Sequence, residues 1–424
     1  MQHTTQRAAG SVTDINPALE HEPATLTQRG RMLPILAALM AFTSLSTDIY
    51  LPAMPQMRRD LHGNIDLTIT GFLIGFALAQ LIWGPVSDRV GRRWPLAIGM
   101  VLFVAGSVGS ALSHNLDQIV LWRMFQAVGA CTGPMLARAM VRDLYPRTLA
   151  AHTLSTLAVI MAVAPIGGPL LGGQIMRFGS WRDIFWLLAA LGALMLVALR
   201  QLPETLPQAS RTTTPANSVF ADYLFLLRNA NFMRYALCVT LFYVSAYAFV
   251  TGSPQVYIEY LHIDTQHYGW LFGINIFGMM VVSLANRQLV GRLSLDVLLR
   301  AATVIAAAAL LVGVALVELH LGGLPGLMVP VFIYFSMNGI VAASATAAAL
   351  DGVPQQLVGS AAALLGSLQY GSGIVSSLLL AALGGGTPRS LVQVMAVFAI
   401  ASAAMALSRH RGTQRKSQAE RSDT

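Results

Sequence analysis

The chain has 424 residues, of which 55% are hydrophobic and 11% charged, and its mean hydropathy is +0.61. Soluble domains carry about 25% charged residues, so a soluble domain is excluded, and the net charge of +8 is read through topology and not as a nucleic-acid surface. Apolar runs of about 20 residues recur along nearly the whole length. Helices need that length to cross a ~30 Å hydrocarbon layer, whereas barrel strands alternate and run about 9–11 residues. The fold class is therefore all-α polytopic membrane protein.

Taken in chain order, residues 1–30 are polar, lack the apolar core of a signal peptide and read as a cytoplasmic tail. Six spans follow at 32–56, 67–86, 94–113, 118–140, 153–176 and 182–201, forming a first bundle over 31–201. A Pro-, Ser- and Thr-rich linker covers 202–233, with a short amphipathic piece at Phe220–Leu227. Six more spans, at 234–257, 267–286, 296–317, 324–349, 359–383 and 390–408, form a second bundle over 234–408. A basic tail closes the chain at 409–424. Cys131 and Cys238 lie inside apolar runs and imply packing, not a disulfide framework.

Basic residues set the orientation. The two tails and the segments near 87–93, 141–152, 200–234 and 287–300 hold 20 of the 27 Lys and Arg residues. Both termini are therefore expected on the cytoplasmic side. The loop "GPVSDRVGRR" after the second span is echoed by "ANRQLVGRL" after the eighth. A six-plus-six chain with a repeated loop suggests duplicated halves that rock about a central site.

Four segments could carry chemistry. "STDIYLPAMPQM" (46–57) places Asp48, the only charged residue between Leu33 and Met57, about 24 Å along its helix and about 6 Å below the outer boundary. It is either an interfacial decoration or a protonatable group facing a water-filled cleft. In "GPVSDRVGRR", Gly84 and Gly91 allow close approach, and Asp88 stands among Arg89, Arg92 and Arg93. Such a loop either serves topology alone or acts as a latch, Asp88 accepting from the N-terminal amides of another helix or pairing with Arg142. "RMFQAVGA" (123–130) places Arg123 roughly 7–8 Å deep in the fourth span with Gln126 a turn further in. An arginine there either snorkels outward or faces the bundle interior. "APIGGPLLGG" (164–173) interrupts the fifth span with Pro165, Pro169, Gly167, Gly168, Gly172 and Gly173. It is either close packing or a bend at the interface between the halves. No metal-ligand pair, nucleotide-binding loop or intramembrane histidine suggests a membrane enzyme.

With these segments in hand, the chain resembles drug:proton antiporters of the major facilitator superfamily, specifically the Bcr/CflA family. "STDIYLPAMP" is similar to that family's first-helix signature, "GPVSDRVGRR" to the superfamily loop, "RMFQAVGA" to the fourth-helix motif and "GGPLLGG" to the fifth-helix antiporter motif. "VRDLYP" and "GSPQVYIE" add to the likeness, which runs from about residue 31 to 408. It implies a monomeric pump of the bacterial inner membrane that exports drugs or amphipathic metabolites in exchange for protons, driven by the proton gradient and using no cofactor or metal. Asp48 would bind the proton and Arg123 would influence its protonation. Gly84, Asp88, Arg89, Gly91, Arg92 and Arg142 would control the conformational switch. Pro165, Gly168, Pro169, Gly172 and Gly173 would shape the helix-five interface. Tyr50, Gln126, Tyr243, Tyr247, Asn275 and Tyr370 are the polar handles expected in a mainly apolar cavity. The alternative is a proton-coupled transporter of one nutrient or metabolite, such as a nucleoside or sugar.

Overall fold

A computed structural model describes residues 26–211, 216–384 and 386–408. Most of the expected N-terminal tail, the tail at 409–424 and part of the linker lie outside the described residues. Within them the regular structure is helical: α1 (Leu26–Asp48), α2 (Met54–Leu61), α3 (Leu67–Val90), α4 (Arg93–Ala111), α5 (Leu116–Leu144), α6 (Arg147–Phe178) and α7 (Trp181–Ala198), then α8 (Ala216–Arg228), α9 (Ala230–Pro254), α10 (Thr265–Leu289), α11 (Leu295–Glu318), α12 (Gly323–Leu350), α13 (Val358–Ala382) and α14 (Pro388–Leu407). Among the described residues, ten stretches of helix are long and apolar enough to cross a membrane. The long helices α5 and α6 occupy the positions of the fourth and fifth expected spans.

The first span ends differently from its sequence expectation. α1 stops at Asp48, a 3-10 turn occupies Leu51–Ala53, and α2 restarts at Met54. Pro52 explains the break, because its ring nitrogen has no hydrogen to give the Asp48 carbonyl four residues earlier. The acid thus sits where a helix interior becomes a helix end.

α1 packs on α5 and α6, and α4 packs on α5 and α7; the later helices repeat the arrangement with α9 on α12 and α13, and α11 on α12 and α14. Two seams join these groups, α3 against α13 and α6 against α10. Small residues bring the seam backbones close: a Cβ on Gly173 would lie 2.8 Å from the Thr265 carbonyl oxygen, and one on Gly269 would lie 2.7 Å from the Leu170 nitrogen. The Ser367 hydroxyl donates to the Ala77 carbonyl at 2.9 Å across the other seam. Aliphatic side chains ring the outside, among them Leu194, Ile82 and Val312, each more than half exposed, as a lipid-facing surface requires.

The amphipathic piece in the linker is the middle of α8. Its Leu226 is fully buried and the Tyr223 hydroxyl donates to the Leu81 carbonyl at 3.0 Å, while Phe220, Leu224 and Phe225 stay exposed. A helix divided this way suits the membrane interface.

Candidate functional site

The bundle has one open end and one closed end. At the end holding the α3–α4 and α5–α6 connections, here called the inner end, a cavity of about 310 Å³ opens between the halves. Its deeper wall includes Phe76, Cys131, Met135, Arg138 and Tyr370, and its mouth includes Gly84, Asp88, Arg89, Arg92 and Arg142. The opposite, outer end is shut by the α6–α10 seam and by contacts of α2 with the chain after α9.

Asp48 and Arg123 lie above this cavity, in the first half. Asp48 is 7% exposed and Arg123 fully buried. The guanidinium is held by bonds from Nη1 to the Ser46 carbonyl at 3.0 Å and to the Gln126 side-chain oxygen. Aromatic rings cover it, with Cζ 4.3 Å from the Tyr50 centroid and 4.4 Å from that of Phe72. Cation–π attraction of this kind is worth about 2 kcal/mol when desolvated. Arg123 Nε and Nη2 nevertheless find no hydrogen-bond partner. The two charges are electrostatic neighbours without an ion pair inside 4 Å.

Asp48 also faces the second half. Tyr247 of α9, Tyr268 of α10 and Tyr370 of α13 all lie within its Coulomb reach. Tyr247 and Tyr370 belong to a connected set: Tyr243 and Tyr247 have centroids 6.2 Å apart, Tyr247 and Tyr370 another 6.2 Å, and Tyr370 and Phe76 meet at 3.9 Å with tilted rings. The aromatic chain leads from the cavity toward the acid. On the other side α6 closes in, where a Cβ on Gly168 would meet Asp48 Cβ at 3.3 Å and one on Gly172 would overlap the Ile49 carbonyl oxygen. Pro165 and Pro169 lie within an unbroken α6.

The expected cavity residues therefore divide. Tyr370 lines the cavity, while Tyr243 and Tyr247 stand behind it, half-buried. Tyr50 is fully buried beneath Arg123, its hydroxyl 3.3 Å from that of Thr68. Gln126 is committed on both ends, to Arg123 and through Nε2 to the Ser107 hydroxyl at 2.7 Å. Asn275 donates to the Leu271 carbonyl at 3.1 Å and is buried inside α10. Arg138, which the sequence placed in the fourth span without a role, lines the cavity.

The loop after α3 is a charge cluster centred on Arg92. Its guanidinium bonds Asp143 at 3.0 Å, the Ser87 hydroxyl at 2.8 Å and Asp88. Burial opposes this cation, but the bonds to Asp88 and Asp143 outweigh it and hold its pKa above the ordinary value. Asp88 pairs with Arg92 and not with Arg142. The acid that accepts from a helix N-terminus is Glu204 of the linker: Arg92 N–H donates to it at 2.8 Å and Arg93 N–H at 3.1 Å. Burial pushes the Glu204 carboxyl up, yet these amides, with those of Leu206 and Thr205, bring it below the usual value. Gly91 turns the chain with φ +99°, a conformation that favours glycine. Glu204 drew no notice in the sequence, being an isolated acid in the polar linker, and Asp143, in the last turn of α5, entered only as part of "VRDLYP".

Residues 36–377 match the family model described as Major Facilitator Superfamily. The chain is 36% identical over 366 residues to the transporter YdgK of Bacillus subtilis, covering 85% of this chain and 90% of that protein. It is 29% identical to multidrug resistance protein D of Escherichia coli (82% and 88% covered) and 26% identical to a bicyclomycin resistance protein homolog of Haemophilus influenzae (83% and 88%). Among solved structures, a bacterial homolog of the lysosomal transporter Spinster, inward-facing and unoccupied, superposes with a TM-score of 0.71 at 14% identity, covering 90% of this chain and 97% of that one. The nucleoside transporter NupG gives 0.71 at 14% identity (89% and 98%), and both likenesses concern the fold alone. An all-helical bundle with charged loop clasp, two inter-half seams and relatives of this kind makes the chain a multi-pass membrane transporter of the major facilitator superfamily.

Proposed function

We propose that the protein is a proton-coupled antiporter of the Bcr/CflA type, exporting drugs or small amphipathic metabolites from the cytoplasm of a bacterium across its inner membrane. The observation that carries the proposal is the setting of Asp48. It is a buried acid with no ion-pair partner within 4 Å, and it borders both halves at a helix break. An ionised carboxylate enclosed between two closing halves costs free energy that a protonated one does not. Proton occupancy therefore biases which arrangement of the halves is stable, and that bias is the coupling.

The cycle follows from this geometry. The inner-end cavity receives substrate against Tyr370 and Phe76, and the proton leaves Asp48 past Tyr370 and Tyr247 into the same cavity. Arg123 supplies a fixed positive charge near the ionised acid without locking it in a permanent pair, which would prevent it from rebinding a proton. The clasp at Arg92 holds the end of α3, α5 and the linker together at the inner end, where the halves must move. The cytoplasmic position of both termini rests on the distribution of basic residues. The chain is read as a monomer that needs no cofactor and performs no chemistry beyond transport.

A susceptibility panel in a pump-deficient bacterium, comparing the wild type with Asp48→Asn, tests the proposal. Resistance to several unrelated amphipathic compounds, lost in the variant at equal expression, is expected. A single transported nutrient and no resistance would instead favour a specific transporter. Uphill export by Asp48→Asn on a proton gradient would overturn the role of Asp48.

A further inference from the structure

The outer end contains a second buried acid that the cycle above does not use. Asp66 precedes α3 and is 4% exposed. Gln255, the first residue of the π-helical segment Gln255–Tyr260 that follows Pro254, is also 4% exposed. Its Nε2 donates to both Asp66 oxygens, at 2.7 and 2.8 Å. The two residues belong to opposite halves, so these bonds cross the closed outer end. A second link runs alongside: Arg58 of α2 stands 3.7 Å from Asp66 and 3.3 Å from Glu259 of the π-segment. Gln255 is backed by Gly386 in the α13–α14 turn, where a Cβ would lie 3.0 Å from its side-chain oxygen.

We infer that Asp66 is a proton-binding site separate from Asp48, and that with Gln255 it forms a proton-responsive clasp closing the outer end. Parting the halves would return the carboxylate to water and strip it of Gln255. The charged groups facing it are Arg58 from α2 and Glu259 from the π-segment. Arg59 on α2 and His62 just after it are exposed, and Asp60 accepts from the Trp181 ring nitrogen at 2.8 Å. In the closed arrangement burial pushes the Asp66 carboxyl up to about 6, against the lowering influence of Arg58 and Gln255, from an ordinary 3.8. The closed form thus binds the proton more tightly than a hydrated, open form would. Its advantage is complete below about pH 4 and is lost as pH rises through about 6. An acidic exterior would close the outer end and return the carrier to its inner-open state. Asp66 meets only the outer side, so it would time the cycle without carrying its proton across. The inference rests on alternating access, but not on the assignment of Asp48.

The test uses the full-length protein in lipid nanodiscs, carrying Asp48→Asn so that the other acid contributes nothing. Nitroxide labels at Arg59→Cys and Leu319→Cys, both exposed at the outer end, report the gap between halves after Cys131→Ala and Cys238→Ala. Between pH 4 and pH 7 the open-to-closed ratio is expected to rise by about fiftyfold, as a carboxyl at 3.8 in the open form and about 6 in the closed form requires. Asp66→Asn should remain closed over the range. Gln255→Ala should enlarge the response, because the ionised form loses its donor in the closed state. The inference is overturned if Asp66→Asn shows the same pH response as its parent, if the outer end opens as pH falls, or if the gap never changes.

Discussion

At the end of α3 the chain passes Asp88 and turns at Gly91 and Arg92, and at the end of α10 it passes Asn286 and turns at Gly291 and Arg292. The first turn is a clasp, with Gly91 at positive φ and Arg92 shared by Asp88, Ser87 and Asp143. The second has no positive φ at Gly291, an exposed Arg292, and a buried Asn286 oxygen without a partner. The same asymmetry runs deeper. In the interior of the bundle, the first half holds Asp48, Arg123 and Arg138, while the second half offers Tyr243, Tyr247 and Tyr370 to the interface. A repeated fold has been divided into a half that holds charge and a half that supplies aromatic surface. Proton coupling needs a titrating group, so mutations in the two halves should fail in different ways.

The largest expected effect is at Asp48. Asp48→Asn should abolish proton-driven export in proteoliposomes, since an amide does not titrate in this range, and Asp48→Glu should retain part of it. Next comes Arg123→Met, which replaces a buried, incompletely bonded cation by an apolar chain of similar length. Transport should fall at least tenfold, yet thermal unfolding should occur at the same temperature or higher, because an apolar replacement spares desolvation on the order of 1 kcal/mol or more. A large loss of stability would mean that the cation holds the fold and not the coupling.

The two loops provide the sharpest contrast. Asp88→Asn removes a charge-assisted bond to Arg92 worth about 1.5–3 kcal/mol, and should slow transport about tenfold with normal insertion. Asn286→Ala removes no bonded partner from its side-chain oxygen and should change velocity less than about twofold. Equal effects would erase the distinction between the clasp and its echo.

The spans and the two interior charges were legible in the sequence because lipid leaves little freedom: long apolar runs must be helices, and a charge inside one is conspicuous. Pro52 was equally visible, but the first span was expected to continue to residue 56, and only the geometry stops α1 at Asp48. Which way a polar side chain faces was not legible. Gln126 and Asn275 look like ligands in one dimension and prove to be bonded within the packing. Asp66 and Gln255 are 189 residues apart, and their pairing exists only once the halves meet. Glu204 escaped for the same reason, two of the amides it accepts from lying more than a hundred residues earlier.

Smaller effects refine the aromatic side of the comparison. Tyr370→Ala should weaken binding of an aromatic substrate by about threefold to tenfold, the worth of one ring contact, while leaving the pH dependence of export unchanged. Glu204→Gln should have the least effect on transport. The carboxyl is held below its ordinary 4.5, so its stabilisation is present above that pH and declines as pH falls through the depressed value. Unfolding temperatures of wild type and Glu204→Gln should therefore differ at neutral pH and converge in acid.

The central claim is that substrate and proton compete through Asp48 in the charged half. Proton release measures it directly: purified protein in weakly buffered solution is mixed with a compound to which it confers resistance, and a pH indicator is followed. The wild type should release protons on binding, Tyr370→Ala should release them at higher compound concentration, and Asp48→Asn should release none while still binding the compound. Undiminished proton release from Asp48→Asn would contradict the claim and move the coupling site elsewhere in the molecule.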